Sequence, residues 1–141
     1  MTHNISKLTD HKLADYLRQH GVQPTIQRLA IARALFAKPQ HVSADHLHAQ
    51  VATAGSAVSK ATVYNTLRLF VGCGLAREVI VDPDRVFYDS TVGPHYHFYN
   101  ADTGELMDIP ADAVRFSRLP APPDGLEQAG VDVIVHLRRR R

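Results

Sequence analysis

The 141-residue sequence holds a single cysteine, Cys73, and that scarcity excludes an internal disulfide, a four-cysteine zinc knot and a Cys-x-x-Cys redox pair. Any bound metal must therefore be held by histidine and carboxylate. Long apolar runs are missing too: none approaches the roughly 20 residues needed to cross a bilayer. The start, Met1 to Lys12, is polar and lacks the apolar core of a signal peptide. A cytoplasmic protein with no membrane partner is expected. An excess of one charge is also lacking. Net charge is +2, and once the four basic residues of the tail Arg138 to Arg141 are taken from the total of 16, 12 face 14 acidic ones. Bulk basicity says little about nucleic acid, so local patterning has to carry that case.

Histidine, by contrast, is abundant, with nine copies. His3, His11, His20, His46 and His48 are scattered over segments that read as helix or chain end and are expected on the solvated surface. His41, His95, His97 and His136 remain to be accounted for.

A hydrophobic share of 45% suits one or two small cores. The first half reads as short amphipathic helices. Leu13 and Leu17 share a face, with Gly21 as a stop. Pro24 and Thr25 open a second helix lined by Leu29, Ala32, Leu35 and Phe36, which Pro39 ends. Ser43 caps a third, with Leu47 and Val51 apolar and Gly55 closing it. Ser59 caps a fourth, with Val63, Leu67 and Phe70 at i, i+4 and i+7 and Gly72 and Gly74 as stops. Strands over 76–81 and 85–89 flank the turn Asp82-Pro83-Asp84, and a hairpin after such helices is the outline of a winged helix. A second unit begins near Gly93-Pro94, with strands 96–100 and 105–109 around Asp102-Thr103-Gly104, a proline-rich stretch 120–125, and a last strand over 131–137.

A helix that docks in a major groove needs an apolar inner face and polar side chains near its N-terminus. The stretch Ser59 to Phe70 supplies both: Val63, Leu67 and Phe70 face inward, while Ser59, Lys60, Thr62, Tyr64, Asn65 and Arg68 offer hydroxyls, cations and an amide. Arg28 and the wing-turn Arg85 could add phosphate contacts. Periodicity alone favours an ordinary solvated helix face, since polar outer faces are common.

His95-Tyr96-His97 puts two imidazoles on one face of a strand, where both can grip one metal. Asp89 precedes the pair, and Asp108 could approach His97 if the hairpin folds back, although sequence does not fix its register. Nitrogen and hard oxygen donors suit Fe²⁺, Mn²⁺ or Zn²⁺, and by affinity alone zinc would outcompete the other two. Two hydrogen-bonded strand histidines without a metal would show the same spacing. Cys73, beside the end of the fourth helix, reads as a packed thiol rather than a sensor.

The blocks 21–31, His41-Val42-Ser43-Ala44-Asp45, Ala61 to Leu67 and Gly74-Leu75, in this order and spacing, resemble the DNA-binding domain of the ferric uptake regulator family. The resemblance implies an α+β protein: an N-terminal winged-helix DNA-binding domain, residues 1–90, followed by a small α/β dimerisation and sensing domain, residues 91–141. It implies a homodimer on double-stranded operator DNA, and a regulatory metal held by His41, Asp89, His95, His97 and Asp108. Two family features are missing. Asn100 and Thr103 stand where the first Cys-x-x-Cys pair of a structural zinc site would be, so no cysteine-ligated zinc is expected. A further family metal site also lacks its acid, Tyr96 standing in that place, and His136 is a poor substitute for its late histidine.

These absences, the Ala61 to Leu67 wording, the stretch 119–123 and the ending 131–140 are most similar to the iron response regulators. That branch implies a transcriptional regulator, mainly a repressor, of iron and haem genes. Haem would be associated with His95 and His97, since the N-terminal Cys-Pro haem motif of some members is missing. A peroxide- or manganese-sensing repressor of the same family is the alternative. A mononuclear metal enzyme is remote, because no general base stands beside the ligands, and no enzymatic activity is expected.

Overall fold

The computed structural model describes residues 8–141, so His3 and the polar start up to Lys7 lie outside the described residues. The chain divides into two compact units, residues 1–92 and 93–141. The fold is α+β, as expected.

The first unit has four helices, α1 (Asp10–Gln19), α2 (Ile26–Leu35), α3 (Ala44–Thr53) and α4 (Lys60–Gly72), and a small sheet whose first strand lies between α2 and α3. Each helix starts at a hydroxyl cap. Thr9, Thr25, Ser43 and Ser59 accept a hydrogen bond from the backbone N–H three residues on, at 3.3, 3.1, 3.1 and 3.1 Å. Each such bond satisfies one of the N–H groups that a helix start leaves unpaired, worth about 1 kcal/mol. At the far end of α4, Gly74 takes φ +77°, a left-handed conformation that costs glycine nothing. The turn lets Leu75 N–H reach the Phe70 carbonyl at 2.8 Å and sends buried Leu75 back into the core.

The core gathers Leu13 and Leu17 of α1, Ile31 and Leu35 of α2, Leu47 and Val51 of α3, and Val63, Leu67 and Phe70 of α4. Phe36 stacks on Phe70 with ring centroids 6.4 Å apart. On α2 the inner face runs through Ile31, Ala32 and Leu35, and Leu29 is only half-buried at its edge. Two histidines expected on the surface are also half-buried, because each imidazole has a backbone carbonyl to bond. His20 Nδ1 lies 3.0 Å from Tyr16 O and His48 Nε2 lies 2.9 Å from Val58 O. His11 and His46 are exposed.

The sheet of this unit has the order β1-β3-β2, with β1 (His41–Val42), β2 (Arg77–Asp82) and β3 (Arg85–Asp89) all antiparallel. Strand β1 is too short to leave a sequence pattern. Its register sets His41 opposite Asp89, and Tyr88 of β3 is buried in the helical core.

The second unit is a three-stranded sheet of order β5-β4-β6: β4 (His95–Asn100), β5 (Leu106–Pro110) antiparallel to it, and β6 (Ile134–Leu137) parallel to it. Its helical part is one 3-10 turn, Ala111–Ala113. Burial alternates along β4, with His95, His97 and Tyr99 on the covered face. The turn between β4 and β5 is held by Asn100, whose Oδ1 accepts from Asp102 N at 2.9 Å and Thr103 N at 3.3 Å. His136 lies on β6, exposed, with its ring 6.1 Å from that of Tyr99.

Candidate metal centre and nucleic-acid interface

The metal-type side chains form one group within each unit. In the first, β1 and β3 bring His41 Nε2 to 3.2 Å from Asp89 Oδ2. Asp89 is buried, and its Oδ1 accepts from Thr91 N at 2.9 Å, which orients the carboxylate.

In the second unit the β4–β5 register sets His97 opposite Asp108. Nε2 of His95 and Nε2 of His97 lie 3.5 and 3.6 Å from Asp108 Oδ1, and the two rings meet edge to face at 4.6 Å. His95 Nδ1 is 2.6 Å from the Gly93 carbonyl. A carbonyl only accepts, so Nδ1 donates to it, which leaves Nε2, on the Asp108 side, as the nitrogen that would ligate a metal. Two buried imidazoles, one of them engaged in this way, and a half-open carboxylate form a donor set suited to a divalent cation. The Gly93 carbonyl leaves no signal in the sequence.

The side chains singled out for DNA lie on the first unit. Ser59, Lys60, Tyr64, Asn65 and Arg68 are exposed on α4, and Tyr64 keeps 46% of its surface accessible. Lys60 Nζ lies 3.2 Å from Asp45, and Arg85 donates to Asp82 Oδ2 at 2.8 Å within the wing turn. Both pairs are exposed, so each is worth little and a phosphate could replace the carboxylate at small cost. The Arg68 guanidinium lies 5.8 Å from the centre of the Tyr64 ring. Arg28 donates to the Gln23 carbonyl at 2.9 Å.

A groove of about 420 Å³ runs between the start of α2 and α4, lined by Thr25, Gln27, Arg28, Thr62 and Asn65 together with Thr66 and Leu69. It joins three of the singled-out residues and adds Thr25 and Gln27. Gln27 lies two residues after the Thr25 cap, in the first turn of α2, and nothing in its local pattern singled it out. Lys60, Tyr64, Arg68 and Arg85 do not line it. Cys73 is the C-cap of α4 and packs partly buried against the core.

The profile of the Ferric uptake regulator family matches residues 19–119. The chain belongs to this family. Among curated family members, it is 32% identical to the peroxide-responsive repressor PerR of Staphylococcus epidermidis over 103 residues, 71% of this chain and 69% of that one. It is 34% identical to PerR of Staphylococcus aureus over 93 residues, 66% of this chain and 63% of that one. The structure of the ferric uptake regulator of Pseudomonas aeruginosa with manganese superposes with a TM-score of 0.71 at 26% identity, covering 90% of this chain and 97% of that one. A zinc-bound manganese uptake regulator shares the fold, with a TM-score of 0.62 at 22% identity over 94% of this chain and all of that one. Among the described residues no helix is long and apolar enough to cross a membrane.

Proposed function

We infer that this protein is a DNA-binding transcription regulator whose operator affinity is set by a divalent metal, Mn²⁺ or Fe²⁺, held by His41, Asp89, His95, His97 and Asp108. The observation that carries this is the convergence of His95 Nε2 and His97 Nε2 on Asp108 Oδ1, with His95 Nδ1 engaged by the Gly93 carbonyl. The cation would supply the positive charge that these donors are arranged to meet.

The chain's own residues do the rest. His41 and Asp89 belong to the unit that carries α4, and His95, His97 and Asp108 belong to the other. A ligand that needs both sets favours one arrangement of the units, so metal affinity and DNA affinity change each other by the same factor. In a homodimer assembled through residues 91–141, the two α4 helices would meet the halves of a pseudo-palindromic operator, whose spacing must match their separation. Ser59, Lys60, Thr62, Tyr64, Asn65 and Arg68 would contact the duplex, with Arg28 and Arg85 at its phosphates.

Likeness to the iron response regulators supports haem as a second ligand at His95 or His97, competing with metal for the same nitrogens. Similarity to proteins named as peroxide-responsive repressors favours a second reading, in which the site holds Fe²⁺ and senses peroxide. A DNA shift assay at one fixed salt concentration, with apo, Mn²⁺-loaded and haem-loaded protein, separates them. Binding with Mn²⁺ and release by haem supports the iron response. Binding with metal that ignores haem, with a mass gain on His41 or His95 after peroxide, supports the peroxide sensor. DNA binding indifferent to every ligand would sink both.

A further inference from the structure

Gln40 precedes His41 and makes five hydrogen bonds inside the first unit. Its backbone N–H donates to Ser90 Oγ at 3.1 Å, and its carbonyl accepts from Ser90 N at 3.2 Å. Its side-chain Nε2 donates to the carbonyls of Ala34 and Leu35, each at 2.9 Å. Its Oε1 accepts from Gln50 Nε2 at 3.0 Å. Both amide hydrogens meet carbonyls that can only accept, so the carboxamide has one satisfactory orientation.

The five bonds reach three places: Ser90 at the end of β3, the last turn of α2, and α3. Ser90 follows Asp89, so its N–H bond to the Gln40 carbonyl extends the ladder that holds His41 opposite Asp89, and its hydroxyl accepts the Gln40 N–H. Ala34 and Leu35 are among the last residues of α2, where carbonyls have no partner within the helix, and Gln40 caps them. Gln50 lies on α3, and the cores of α2 and α3 pack with that of α4. A displacement of the His41–Asp89 pair therefore has to break the α2 cap and the α3 tie, or carry those helices with it.

We propose that Gln40 is the positioning residue that transmits occupancy of the His41–Asp89 pair to the recognition helix, by coupling strand β1 to the end of α2 and, through Gln50, to α3. This rests on the metal-responsive reading above. Gln40 touches neither metal nor DNA in that scheme. Its role is to make the strand pair and the helices move as one body.

The test is a thermodynamic cycle on the full-length protein, with Mn²⁺ alone as the metal and, as DNA, a duplex selected by the wild-type protein from random sequence in the presence of Mn²⁺. Mn²⁺ affinity is measured by chelator competition, and DNA affinity with and without Mn²⁺ at fixed salt. Allosteric couplings commonly span about 5- to 150-fold, and the wild type is expected within that range. In Gln40→Met, which keeps the side-chain length and loses the bonds, the ratio of DNA affinities should collapse to within about twofold of one. Mn²⁺ affinity should stay within about fivefold of wild type, and the salt dependence on random DNA should not change. Gln50→Leu cuts only the tie to α3, is milder for folding, and should shrink the ratio in the same direction. A wild-type ratio retained in both variants overturns the role of Gln40 and leaves metal regulation standing. A ratio of one in the Mn²⁺-loaded wild type overturns metal regulation itself, and the proposal with it.

Discussion

His97 stands directly opposite Asp108 in the β4–β5 ladder, with its Nε2 3.6 Å from the carboxylate oxygen and only 2% of the residue accessible. A cross-strand pair of this kind projects from one face of the sheet, so strand register alone delivers an oxygen donor to two nitrogen donors. Asp108→Asn keeps the shape and removes the anion. Mn²⁺ affinity is expected to fall about tenfold or more, the scale on which even supporting groups of metal sites act. Isothermal titration checks this, and unchanged affinity would show that the carboxylate is not a ligand.

Ser59 caps the helix assigned to DNA, and its hydroxyl also donates to Thr62 Oγ1 at 2.8 Å. Ser59→Ala should cost about 1 kcal/mol in a urea melt. Fraying should concentrate in the first turn of α4, where Lys60 and Thr62 lie. Hydrogen exchange localises it, and protection lost evenly over the whole chain would contradict a local cap role.

Asn65 and Lys60 differ in the contacts expected of them. Asn65 lines the groove between α2 and α4 and presents an amide, whereas Lys60 is an exposed cation already beside a carboxylate. Asn65→Ala should weaken the selected duplex by about 1–3 kcal/mol while leaving random DNA almost unaffected. Lys60→Ala should weaken both alike and reduce the slope of log affinity against log salt by about one. Equal losses on both duplexes for Asn65→Ala would remove it from base readout.

Tyr88 is pushed up to about 12, first by burial, then by the nearby Glu78 carboxylate and Tyr64, with Arg68 acting the other way. A raised folded value means that the native state keeps its proton after the unfolded chain has lost it. The stabilising contribution is complete below the ordinary tyrosine value of about 10 and is lost as pH rises toward 12. Unfolding free energies across that window should decline more steeply for the wild type than for Tyr88→Phe. Parallel declines would show that the ring does not titrate in the folded state's favour.

Much of this was legible locally. The hydroxyls of Thr25, Ser43 and Ser59 cap bonds within three residues of themselves, and the apolar faces of α1, α3 and α4 repeat at helical spacing, so neighbouring residues already contain the cause. His95 and His97 fall on one face of a strand for the same reason, because alternation is a property of the strand itself. The single cysteine excludes zinc held on two Cys-x-x-Cys pairs whatever the fold.

What the sequence could not determine depends on residues far apart in the chain. Strand β1 is two residues long and exists only because β3 supplies its partner, nearly 50 positions later, which is how His41 comes to face Asp89. The parallel pairing of β6 with β4, the register that selects Asp108, the Gly93 carbonyl that engages His95 Nδ1 and the five bonds of Gln40 all arise from packing. Local propensities decided which segments are helix or strand and which faces are apolar. Tertiary structure decided which polar groups meet, because a buried donor or acceptor must find its partner wherever the fold delivers one.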